Sequence, residues 1–124
     1  MLKYKLGERG NPSDKEASKK IYAKPVKTGT KTVSSLSSDI ADISSLSRGD
    51  INDVITNLVE RVPKNLLEGN SVSLGELGTL RVSFSSEGVD TESEFHTSKI
   101  KGLKIIFTLE KLIKEELKKA KFGK

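Results

Sequence analysis

The chain has no cysteine and no tryptophan, and only one histidine, one methionine, three prolines, four phenylalanines and two tyrosines among its 124 residues. Lack of cysteine excludes a disulfide scaffold, a thiolate zinc site and a cysteine nucleophile, and suits a reducing compartment. With His96 alone, the usual zinc ligand set cannot be assembled, and no metal or other cofactor is expected. No apolar run approaches the roughly 18 residues that cross a bilayer, and Met1 to Lys5 lacks the apolar core of a secretion signal. The expected location is therefore cytoplasmic, with no membrane partner. Hydrophobic residues make up 34% and aromatics 5%. That is a thin core for a domain of this length, so a partner subunit is expected to complete it.

What is present is charge, unevenly placed. The formal net charge is +5. Residues 1–33 carry 9 basic and 3 acidic side chains and residues 99–124 carry 9 and 3, whereas residues 34–70 carry 3 and 6 and residues 71–98 carry 1 and 5. Cations gathered at both ends make an electrostatic footprint for a polyanion, where an even mixture would only keep the surface soluble.

Leu2, Tyr4 and Leu6 alternate with Lys3 and Lys5, the period of a half-buried strand with one cationic face. A turn-rich stretch containing Gly10-Asn11-Pro12-Ser13 leads to a second strand around Ile21-Tyr22-Ala23, placed on an edge by Pro25, which has no N–H to give. From Ser34 the period becomes helical: Leu36, Ile40, Ile43 and Leu46 form one stripe, with Ser34 or Ser35 as N-cap. Ser47 and Asp50 open a second helix whose apolar face runs from Ile51 to Leu66. Pro63 should bend this helix or start a new turn before Gly69 ends it.

Val72 and Leu74 begin a strand that Gly75-Glu76-Leu77-Gly78 turns. Leu80, Val82 and Phe84 then alternate with Arg81, Ser83 and Ser85. Residues 85–98 form a polar arm. Leu103, Ile105 and Phe107 return as an antiparallel strand that puts Lys104 on the outer face, near Arg81. Thr108 is the expected cap of a last helix with Leu109, Leu112, Ile113 and Leu117 inward and Ala120 near its end.

Two helices, a strand, a Gly-Thr turn, a long hairpin and a final helix is an order of elements that resembles the HU and integration-host-factor family of bacterial histone-like proteins. Glu76-Leu77-Gly78-Thr79-Leu80 is similar to that family's Gly-Phe-Gly-Thr-Phe turn, and Phe107-Thr108-Leu109-Glu110-Lys111 to the Phe-Lys-Pro-Gly-Lys with which it leads into the last helix. The cover runs from about Thr32 to Phe122. Leu74 to Thr79 and Ser85 to Val89, followed by Ile100-Lys101-Gly102, resemble the longer HU-related proteins of Bacteroides-type bacteria. The resemblance implies an α+β, HU-like fold over residues 32–124, preceded by a basic β-hairpin extension over residues 1–31. It also implies a homodimer that binds duplex DNA with little sequence preference, bends it, and belongs to the nucleoid. That family is itself a standard example of minor-groove architectural binding, with two β-arms embracing the duplex and a proline at each arm tip wedged between base pairs.

The arm of this chain has no proline, and Glu87, Asp90, Glu92 and Glu94 make its expected tip acidic, which repels phosphate. Arg9-Gly10-Asn11-Pro12, at the turn of the basic extension, is similar to the family's Arg-Asn-Pro tip with one residue inserted. Alternatively, Asn-Pro is an ordinary turn former. The candidate DNA-binding residues are Lys3, Lys5, Arg9, Asn11, Pro12, Lys19, Lys20, Lys24 and Lys27 in the extension, and Arg81, Lys99, Lys101 and Lys104 at the base of the arm. Tyr4 and Tyr22 either stack on bases or pack across the extension hairpin. The serines lack a base, and Gly75 to Gly78 lacks the Lys-Ser/Thr of a phosphate loop, so neither an enzyme nor a small-molecule substrate is expected. Two other readings stay open: a protein-interaction module of the same dimeric fold, and an RNA-binding protein.

Overall fold

The opening alternation of Lys and apolar residues folds as a continuous ladder. In the computed structural model, which describes residues 1–10, 13, 16 and 18–124, β1 (Leu2–Arg9) pairs antiparallel with β2 (Lys20–Pro25). The register runs without a break from Tyr4 opposite Pro25 to Arg9 opposite Lys20. The expected edge position of Pro25 is found, because β2 has one neighbour only in the order β2-β1-β6. The third strand, β6 (Phe122–Gly123), lies parallel to β1 with Leu2 beside Phe122. It ties the two ends of the chain together, and two residues are too short for any period to reveal it.

Helix α1 (Val33–Asp42) starts earlier than its apolar stripe suggests. Its N-cap is Thr32, not Ser34 or Ser35: Ser35 N–H donates to Thr32 Oγ1 at 3.2 Å, and Thr32 N–H donates to Ser35 Oγ at 2.8 Å. Ser35 thus serves as the third helical residue of a reciprocal capping box. The helix ends at Asp42, so Ile43 becomes its C-cap and Leu46 falls in the following turn. Helix α2 (Arg48–Leu67) is capped as expected, with Asp50 N–H donating to Ser47 Oγ at 3.1 Å. It continues through Pro63 as one helix, so the new turn expected there does not form. Proline removes a single backbone bond, and the flanking turns continue on both sides.

The second sheet has the order β3-β4-β5, built from β3 (Val72–Ser73), β4 (Gly78–Ser86) and β5 (Ile100–Leu109). Gly75 to Leu77 form a single 3-10 turn, and Leu74 leaves the strand to donate its N–H to the Gly78 carbonyl at 2.8 Å. Gly78 is fixed by its surroundings. Its φ is 153°, and a Cβ there would lie 2.5 Å from the Thr108 carbonyl oxygen and 2.6 Å from the Phe107 ring. The Gly-Thr turn needs glycine because another strand's backbone passes against it. β5 keeps pairing with β4 up to Leu109 opposite Gly78. Thr108 is therefore a strand residue and not a cap; Glu110 precedes α3 (Lys111–Leu117), which contains neither Leu109 nor Ala120.

Among the described residues the buried apolar side chains are Ile51 and Leu66, 5% and 3% exposed. The chain exposes 10551 Å², against about 6,600 Å² for a folded monomer of 13.6 kDa by the usual scaling of area with mass. Large apolar side chains of α1, α2 and the sheets are among the exposed surface, Val59 and Leu67 on α2 with them.

Candidate nucleic-acid interface

Side chains alternate across a strand, and paired residues share a face. On β1 and β2 this separates two chemistries. One face carries Lys3, Lys5 and Arg9 from β1 with Lys20, Tyr22 and Lys24 from β2; the other carries Leu2, Tyr4, Leu6, Ile21, Ala23 and Pro25. Two cross-strand pairs on the first face are like-charged, Lys5 opposite Lys24 and Arg9 opposite Lys20. Such pairs repel, and an isolated hairpin gains nothing by them. The Arg9 guanidinium carbon lies 5.9 Å from the centre of the Tyr22 ring, a cation–π contact that holds the arginine against the sheet. Gly7 makes room for Lys24, whose Cε would be 3.2 Å from a Cβ at that position.

Of the extension residues singled out from the sequence, the structure brings five cations onto this face. Lys19 precedes β2 and Lys27 follows it, outside the paired register. Asn11 and Pro12 lie outside the described residues. The two tyrosines take opposite faces, Tyr22 with the cations and Tyr4 opposite Pro25, so they do not pack on each other.

The second group lies at the base of the arm. Lys104 pairs with Ser83 and Lys101 with Ser85, so β5 has one residue more than β4 between them. That extra residue is a bulge at Gly102, whose φ of 68° is readily adopted by glycine. Ser85 Oγ donates to the Lys101 carbonyl at 3.1 Å alongside it. The bulge has a direct consequence for charge. Residues 101 and 104 are an odd number apart and would otherwise point to opposite faces; with the bulge, Lys101 and Lys104 share the face of Arg81, Ser83 and Ser85. Leu80, Val82, Ile105 and Phe107 take the other face, and Val82 and Ile105 line a cleft with Pro63, Leu66 and Leu67 of α2, to which Leu103 and Lys104 also contribute.

Glu87 also differs from expectation. It lies at the base of the arm and not at its tip, its N–H donating to the Lys99 carbonyl at 2.9 Å. Its carboxylate sits between two of the candidate cations, 2.8 Å from Lys101 Nζ and 3.7 Å from Lys99 Nζ. The segment that remains, residues 88–99, contains two short 3-10 turns, Glu92–Glu94 and Thr97–Lys99. His96 caps the second of these, its Nδ1 accepting from Ser98 N–H at 3.1 Å. No group of acidic and histidine side chains suited to a metal ion occurs among the described residues, and no helix among them is long and apolar enough to cross a membrane.

A mixed α+β chain with three helices and two small sheets has the architecture of the HU class. The family model described as "HU domain fused to wHTH, Ig, or Glycine-rich motif" matches residues 1–124, and the chain belongs to that family, HU-HIG. A crystal structure from Bacteroides vulgatus ATCC 8482, described as a "putative bacterial DNA binding protein", superposes over 98% of this chain with a TM-score of 0.64 at 18% identity. The chain spans about half the length of that protein, covering 47% of it. No curated protein matches the chain.

Proposed function

We propose that this chain is a non-enzymatic architectural protein that binds duplex DNA with little sequence preference and bends or compacts it as a homodimer in the nucleoid. The observation that carries this reading is the cationic face of β1 and β2. Lys5 and Lys24, and Arg9 and Lys20, are held opposite each other across the ladder, like charge against like. A row of phosphates supplies counter-charge to such a surface. Membership of an HU family and the description of the Bacteroides vulgatus protein agree with DNA as the ligand. Ammonium and guanidinium groups that are satisfied by phosphate oxygens read no sequence, which accounts for the low specificity in this reading.

Lys3, Lys5, Arg9, Lys20 and Lys24 make phosphate contacts in this reading, and Arg81, Lys99, Lys101 and Lys104 extend them. Arg9 to Pro12 takes over the wedge that the arm lacks. Dimerisation is supported by the surface the single chain leaves in water, about 4,000 Å² beyond that of an ordinary monomer of its mass.

A gel-shift competition tests the reading. Duplexes of unrelated sequence should displace one another with equal effectiveness, and structured RNA should displace them weakly. Preference for the RNA would make this an RNA-binding protein, and indifference to both would favour a protein-interaction role. Bending is tested separately: Arg9→Ala with Pro12→Ala should reduce it more than charge removal between residues 87 and 94, and an unchanged bend would refute the relocated wedge.

A further inference from the structure

The N-terminal sheet has a second face, opposite the cations. Leu2, Leu6, Ile21 and Phe122 on it are 54%, 51%, 66% and 68% exposed. A cleft at this end of the sheet is lined by Leu2, Tyr4, Ala23, Pro25, Val26 and Phe122 together with Lys3 and Lys24 from the cationic side, and no helix residue lines it. A sheet with one apolar face is stable only when that face is packed against another layer.

We infer that this face packs against the same face of a second copy of the chain, forming a two-layer sandwich whose outer surfaces are both cationic. Three features select this occupant. The patch is self-complementary in chemistry, aliphatic with one aromatic ring. Its four large side chains leave on the order of 500 Å² in water per chain, so a face-to-face pair removes on the order of 1,000 Å² altogether, the size at which a specific interface begins. The charges at its margins also match: Glu8 closes the distal end of the face, while Lys124, two residues beyond Phe122, lies at the other. A two-fold antiparallel stack brings each Glu8 to its partner's basic end. A lipid surface fits less well, because the cations that would meet headgroups point the opposite way.

The consequence follows from geometry. Two sheets packed face to face lie about 10 Å apart, so each copy offers its cations outward and the pair holds two duplexes side by side. This consequence rests on the DNA reading above; the stacking itself does not.

The test uses the full chain and the variant Leu6→Asp/Ile21→Asp, whose substituted positions face water in the single chain. Sedimentation equilibrium should give the wild type twice the mass of the variant. An immobilised duplex loaded with wild type should retain a second, fluorescent duplex, and one loaded with the variant should not, while both proteins bind a single duplex equally. Should the aspartates unfold the hairpin by circular dichroism, Leu6→Thr/Ile21→Thr keeps strand-forming side chains and should still halve the mass. Equal masses for wild type and folded variant overturn the proposal. A halved mass with no duplex bound by either protein supports the stacking and refutes the DNA reading.

Discussion

Lys5 stands directly opposite Lys24 across the β1–β2 ladder, and Lys24 lies over Gly7 with its ammonium on the same face as Arg9 and Lys20. The free protein tolerates this repulsion, and a polyanion bound at this face would relieve it. Lys24→Glu should therefore act in opposite directions on two observables. A cross-strand ion pair with Lys5 strengthens the hairpin, so hydrogen exchange of the β1 and β2 amides slows, while duplex affinity falls. A gain in both would contradict the assignment of this face to DNA.

Glu87 holds Lys99 and Lys101 in the absence of a ligand. Exposed pairs of this kind contribute little to stability, typically under about 1 kcal/mol, so Glu87→Gln should leave the unfolding midpoint almost unchanged. Its effect should appear in binding. Two cations are released for phosphate, duplex affinity rises, and the dependence on salt steepens. Affinity equal to wild type across the salt range would remove the arm base from the interface.

Two glycines carry different loads. Gly102 has φ of 68° at the bulge, where a non-glycine residue costs about 1–2 kcal/mol, and its Cβ would lie 3.0 Å from Ser85 Oγ, a side chain able to turn aside. Gly102→Ala should lower stability by about that amount. Gly78→Ala should cost more, beyond about 3 kcal/mol, because backbone and ring atoms block the methyl group and cannot rotate away. Urea unfolding of the two variants gives the order directly.

Ser37 is fully buried on α1, and its hydroxyl has no hydrogen-bond partner among the described residues. A buried polar group left unpaired costs about 1–3 kcal/mol. Ser37→Ala keeps the small volume and removes the penalty, so it should raise the urea midpoint. A loss of stability would show that the hydroxyl is bonded in solution.

The parts of the fold that depend on long or repeated patterns were legible in the sequence. Alternation from Leu2 to Leu6 and from Leu80 to Phe84 located β1 and β4, the stripe from Ile51 to Leu66 located α2, and Ser47 with Asp50 located its start. Boundaries set by tertiary pairing were not. Thr108 has the side chain of a cap but continues β5 because Thr79 is opposite it. Phe122 has no periodic neighbours, so its place beside Leu2 depends on the two ends of the chain meeting. At the candidate site, charge segregation marked the segments that fold into the cationic face of β1 and β2 and the base of the arm. The uneven spacing of Lys99, Lys101 and Lys104 around Gly102 was the available signal for the bulge that gathers them, and the partnership of Glu87 with those lysines had none, because the two are separated in sequence by the whole arm.

If the β1–β2 face neutralises phosphates, the salt dependence of duplex affinity measures it most directly. The slope of log K against log salt should become shallower by about 0.9 for each phosphate that a variant no longer neutralises, so Lys5→Gln/Lys24→Gln should bind more weakly than wild type at low salt and converge with it as salt rises. Parallel lines for the two proteins, with the same slope and the same affinity, would contradict the account.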